Sequence, residues 1–123
     1  MSSRKKLTDK QRKVFDEGYK AEEKVVYWLK EHGFHDVEKN PKRTGCWDVK
    51  ARKGKDKWII EVKTGENPPI DMVNFEKMIR MRGFTKMGLA LVTKDSVHLL
   101  EYPKSRVAAF KAWDTMKKRV KQD

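Results

Sequence analysis

The stretch Trp58-Ile59-Ile60-Glu61-Val62-Lys63 constrains this chain more than any other. It is apolar and β-branched, and a turn cluster flanks it on each side: Lys53-Gly54-Lys55-Asp56 before, Gly65-Glu66-Asn67-Pro68-Pro69 after. Such a segment reads as a strand. Side chains alternate along a strand, so Trp58, Ile60 and Val62 share one face and Ile59, Glu61 and Lys63 the other. A carboxylate and an ammonium thus point the same way from a segment apolar enough to be central. Burying charge is costly unless it is paired or holds an ion. Two readings are open at this point: an edge strand with a solvated Glu–Lys pair, or a charged group placed for chemistry.

The flanking segments choose between them. Thr8-Asp9-Lys10-Gln11 has the form of a capping box, and a helix is expected from there to His32, stopped by Gly33. Its inward stripe reads Phe15, Gly18, Glu22, Val25 and Leu29, widened by Val14, Ala21 and Trp28. Glu22 is then a carboxylate within an apolar face, there either for function or as a rim residue paired with a base. Phe34 to Lys39 reads as a short strand, Asn40-Pro41 as a turn and Lys42-Arg43-Thr44-Gly45-Cys46 as a basic loop. Trp47 to Arg52 is a second strand, joined to the first-named one by a Gly-containing turn. In that hairpin Asp48 comes opposite Glu61. Two like charges so placed repel unless a cation lies between them; Lys63 and a metal ion are the candidates.

Beyond the Pro-rich loop, Asp71 is placed as the N-cap of a helix with Met72, Phe75, Met78 and Ile79 inward, ending near Gly83. Met87 to Val92 is nearly all apolar, as in a strand buried on both faces. Val97 to Tyr102 is a last strand, closed by Pro103. A final helix from Ser105 to Val120 puts Val107, Phe110, Trp113 and Val120 near one face. The order α, three strands, α, two strands, α predicts one α/β domain, a mixed central sheet flanked by helices. Within it, residues 1–7 are expected to be a mobile basic arm, 8–103 the core and 104–123 a basic C-terminal helix.

Charge sets the partner. The 123 residues carry a formal net charge of +12, which opposes compaction unless a polyanion shares the surface. Nucleic acid is the first such partner. No apolar run is long enough to span a membrane, and no signal-like segment opens the chain. The single cysteine, Cys46, rules out an intrachain disulfide and a Cys-based zinc cluster. A cytoplasmic protein is expected. His32, His35 and His98 lack the spacing of zinc ligands.

Twelve residues separate Asp48 from Glu61, and one separates Glu61 from Lys63. With Gly18-Tyr19-Lys20-Ala21-Glu22, Thr44-Gly45-Cys46-Trp47-Asp48 and Ile60-Glu61-Val62-Lys63, the chain resembles the PD-(D/E)xK nuclease superfamily. Within that superfamily it is most similar to the archaeal Holliday-junction resolvases. The resemblance spans Gly18 to Tyr102 and implies the restriction-endonuclease-like αβββαβ core. Trp47 stands where the family name puts Pro. By the resemblance, Glu22, Asp48, Glu61 and Lys63 are catalytic. Asp48, Glu61 and the backbone carbonyl of Val62 would hold Mg²⁺, for which Mn²⁺ would substitute; Glu22 would act through water or a second ion.

Such a protein would be a metal-dependent DNA endonuclease acting on branched DNA. Paired cuts at a four-way junction are most simply made by a homodimer. The DNA-contact candidates are Lys42, Arg43 and Thr44 in the loop before Asp48, the arm Arg4, Lys5 and Lys6, and the tail Lys117, Lys118 and Arg119. Two alternatives stand beside this reading: a non-cleaving nucleic-acid-binding module with the same fold, and an RNA-processing nuclease.

Overall fold

The computed structural model describes residues 9–41, 45–65, 68–94, 96–103 and 105–122. The expectations for Thr8, for the arm Arg4-Lys5-Lys6 and for the loop Lys42-Arg43-Thr44 lie outside these residues, as do those for the side chains of Val14, Phe15 and Gly18. The elements run α1 (Asp9–Glu31), β1 (His35–Lys39), β2 (Val49–Lys53), β3 (Asp56–Thr64), α2 (Met72–Arg80), β4 (Lys86–Val92), β5 (Val97–Glu101) and α3 (Arg106–Gln122). This is the predicted order.

Helix α1 ends as its sequence indicates. Gly33 adopts φ +86°, the left-handed conformation that costs glycine least. The Phe34 amide then reaches back to the Leu29 carbonyl at 3.0 Å. That bond, from the second residue past the cap to the last turn, is the Schellman closure, and Phe34 and Leu29 are both buried in one cluster beside it. The α1 stripe is shifted from the expected one. Ala21, Val25 and Leu29 are buried, whereas Glu22 is half-buried at the margin and Glu23 is exposed, paired with Lys39. The helix turns its small and branched residues inward and leaves both carboxylates where water reaches them.

The strands form one sheet in the order β1-β2-β3-β4-β5. Pairing is antiparallel except between β3 and β4, which are parallel. A parallel pair needs a crossover connection, and α2 supplies it. Strand β3 is therefore central, with an antiparallel neighbour on one side and a parallel one on the other.

Two hydrophobic layers lie on the two faces. On one, Ala21, Val25 and Leu29 of α1 pack on Trp58, Ile60, Val49, Ala51 and Ala90. On the other, Phe75 and Met78 of α2 and Ala109 and Trp113 of α3 pack on Ile59, Leu89 and Leu91. Strand β4 is buried from Met87 to Val92, as its composition predicts. At Gly88 an added Cβ would stand 3.1 Å from Leu99 and 3.3 Å from Ile60 and Trp58, so the glycine lets the Trp58 ring close over the sheet.

Two helix faces differ from expectation. Ile79 of α2 is exposed, and Val107 and Phe110 of α3 are exposed as well. The buried face of α3 instead carries Ala109 and Trp113, with Met116 and Val120 packed beside them. Its spacing of four, three and four is regular, but Ala109 is too small to announce itself among larger apolar neighbours. None of the helices of the described residues is long and apolar enough to cross a membrane.

Candidate active site

Backbone register brings the first two acidic residues together. Val49 pairs with Ile60, and the Asp48 amide donates to the Ile60 carbonyl at 2.9 Å. Asp48, the residue just before β2, is thereby held beside β3, close enough to Glu61 for the two charges to act on each other. The Val62 amide donates to Oδ2 of Asp48 at 2.7 Å, which fixes that carboxylate against the end of β3. Glu61, at 3 % exposure, is the one buried charged residue of the described chain. Lys63, two positions on and on the same face, donates from Nζ to Oε1 of Glu61 at 2.9 Å. The alternation inferred for this strand thus holds, and Glu61 is on the buried side.

Electrostatics follow the burial. Desolvation pushes the Asp48 carboxyl above the usual range, opposed by the Val62 amide and the Lys63 charge. Desolvation also pushes Glu61 up, opposed by Lys63 and the Asn74 side chain and reinforced by Asp48. A buried carboxylate held charged needs cationic or donor partners, yet Oε2 of Glu61 has no hydrogen-bond partner.

The first turn of α2 stands over this pair. Asp71 caps it, accepting from the Asn74 amide at 3.1 Å. Asn74 was not singled out by sequence; its only signal is its place three residues after a cap. Tyr102, 4 % exposed, was also missed. Burial, with the charges of Glu61 and Asp71, pushes its phenol well above the usual tyrosine range. Cys46 is a buried thiol, 3.3 Å from the Met81 sulfur, with its pKa pushed up by burial. A buried thiol of this kind is packing rather than a nucleophile.

The structure gathers Asp48, Glu61 and Lys63. It places Glu22 on α1, over the opposite face of the sheet. Among the described residues, no three His, Cys, Asp or Glu side chains converge as a metal-binding group. Of Val62, the backbone amide is engaged with Asp48. Lys117 is turned inward: its side chain is 13 % exposed, near Asp114, over the Trp113 ring and 3.4 Å from the Pro68 carbonyl. Lys118 and Arg119 are exposed.

The donor chemistry suits a hard divalent ion. Mg²⁺ is bound through one or two carboxylates plus waters and substrate phosphates, and the carboxylates of Asp48 and Glu61 offer that set.

The mixed five-stranded sheet, with α1 on one face and α2 and α3 on the other, is the restriction-endonuclease-like fold. Among solved structures, the chain is similar to that of Hjc from Archaeoglobus fulgidus, a Holliday junction resolvase from an archaeal hyperthermophile. The TM-score is 0.58 at 23% identity, covering 72% of this chain and 73% of that one. No family model and no curated protein matches.

Proposed function

We propose that this protein is a metal-dependent DNA endonuclease acting on branched DNA. One observation carries the reading: a buried Glu61, bonded to Lys63, with the Asp48 carboxylate held beside it by the Val62 amide. A protein that only binds nucleic acid gains nothing from two carboxylates set where phosphate would approach. The likeness in fold to a Holliday junction resolvase supports junction DNA as the substrate class.

In this reading Asp48 and Glu61 hold Mg²⁺ or Mn²⁺. When bound, the ion supplies positive charge against the scissile phosphate and acidifies a water. The Val62 amide keeps Asp48 in one rotamer. Lys63, a compact cation, orients the attacking water and offsets charge that develops on phosphate oxygens. Glu22 lies over the other face, so its part runs through water or a second ion rather than through contact with Glu61. Lys118 and Arg119, with the basic loop and arm, carry phosphate contacts. Val73 and Ile79 of α2 and Val107 and Phe110 of α3 are exposed apolar residues, and Arg106 pairs with Glu76 between the two helices. That surface is the dimer contact of this reading.

The test is cleavage of linear, flapped and four-way DNA by the purified protein, with and without Mg²⁺. Mg²⁺-dependent nicking of the four-way substrate, lost in Glu61→Gln, is expected. Wild-type-like cleavage by Glu61→Gln would overturn the assignment.

A further inference from the structure

Two buried side-chain oxygens among the described residues have no hydrogen-bond partner: Oε2 of Glu61 and the Tyr102 hydroxyl. They lie on the same side of the sheet. The Tyr102 amide donates to the Met87 carbonyl at 2.8 Å, one step past the Gly88–Glu101 pair. Met87 in turn sits beside Ile59 on β3, and Ile59 shares its face with Glu61. The Tyr102 ring meets Phe75 of α2 edge-on, with centroids 5.1 Å apart, so it runs under the helix whose first turn carries Asn74. The charges that act on the phenol are those of Glu61 and Asp71.

A phenol can donate one proton, and a carboxylate oxygen can only accept. Leaving either buried and unmatched costs about 1–3 kcal/mol. Buried waters settle such pairs by bonding two to four otherwise unsatisfied groups. We propose that Tyr102 is a positioning residue: its hydroxyl donates to a buried water that donates in turn to Oε2 of Glu61, fixing the carboxylate from behind. The proposal rests on the reading of Asp48, Glu61 and Lys63 as the nuclease site. Lys63 holds Oε1, the Asn74 side chain also meets the carboxylate, and Tyr102 holds Oε2 through the water, so the carboxylate has one orientation. Outer partners of this kind change metal affinity or activity by about 10–100-fold.

The test uses Tyr102→Phe, which keeps the ring and its contact with Phe75 and removes one oxygen. Manganese titration calorimetry without DNA should show about tenfold weaker binding in the variant. Turnover should fall by a similar factor with KM for DNA unchanged, which a general loosening of the core would not produce. Independently, protein labelled with ¹³C at the tyrosine ring carbon bearing the hydroxyl has three signals; the one missing in Tyr102→Phe is Tyr102. That signal should move in Glu61→Ala, which removes the acceptor. A Tyr102 signal indifferent to Glu61→Ala, or a folded Tyr102→Phe protein with wild-type manganese affinity, overturns the proposal. If the signal moves but the wild-type protein neither binds manganese nor cuts DNA, the hydrogen-bonded link stands and the nuclease reading falls.

Discussion

The Val62 amide donates a 2.7 Å hydrogen bond to Oδ2 of Asp48, so the strand that carries Glu61 and Lys63 also holds the carboxylate facing them. Two of the side chains come from β3 and the third from the residue just before β2, which backbone bonds to β3 hold in place. A site built on strands in this way is stiffer than one built on loops.

Asp48→Asn, Glu61→Gln and Lys63→Ala should each abolish turnover, by a factor of at least about 10², with the fold intact by circular dichroism. DNA affinity should survive in all three and rise in the two acidic variants, where negative charge near phosphate is removed. Single-turnover cleavage together with a binding titration separates the two effects.

Mg²⁺ or Mn²⁺ should be required for cutting. Ca²⁺, larger and looser in geometry, should support binding with little cleavage. Equal cutting in Ca²⁺ and Mg²⁺, or in a chelator, would remove the metal from the proposed reaction.

Both site carboxyls have folded-state pKa values raised by burial. Below the unfolded pKa both states are protonated and the groups contribute nothing to the pH dependence. Between the unfolded and the raised folded values the folded state binds more protons, so stability falls as pH rises. Above the folded values the full cost persists. At neutral pH, then, neutralising Glu61 as Gln should raise stability, because the desolvation that raises its pKa outweighs the pairing with Lys63, and the gain should shrink as pH drops through the acidic window. Thermal melts of both proteins at several pH values measure this; a Glu61→Gln protein less stable at neutral pH than the parent contradicts it.

Binding to four-way DNA should weaken steeply with salt, since phosphate contacts release counterions. Exposed Lys118 and Arg119 should each contribute to that slope, whereas inward-turned Lys117 should act through stability instead. Lys117→Ala should lower the melting temperature while leaving the salt slope unchanged.

The hairpin, the central strand and its two faces were legible because their signals are strong and local. Alternating apolar and charged residues fix which way Glu61 points, and a short turn brings Asp48 near it. The cap at Asp71 and the stop at Gly33 were equally plain, each being one residue with one conformational role. What was not legible depends on tertiary packing. The inward face of α3 turns on Ala109 rather than Val107 because the closest approach to the sheet favours a small residue. Glu22 reads as central on a helical wheel, yet a shift of one residue in the stripe moves it to the margin. Asn74 and Tyr102 come near Glu61 only through the crossover and the sheet register, and no spacing in the sequence encodes that proximity.

The Trp113 indole donates to the Pro68 carbonyl at 2.8 Å, within the segment that links Lys63 to α2. The last helix is thereby tied to the piece of chain that leaves the site. A chain shortened before Arg106 would keep every strand and Glu22, Asp48 and Glu61, yet lose the clasp on that segment. Fragments tested for cleavage should accordingly retain α3, and a silent fragment without it would say nothing about Asp48, Glu61 or Lys63.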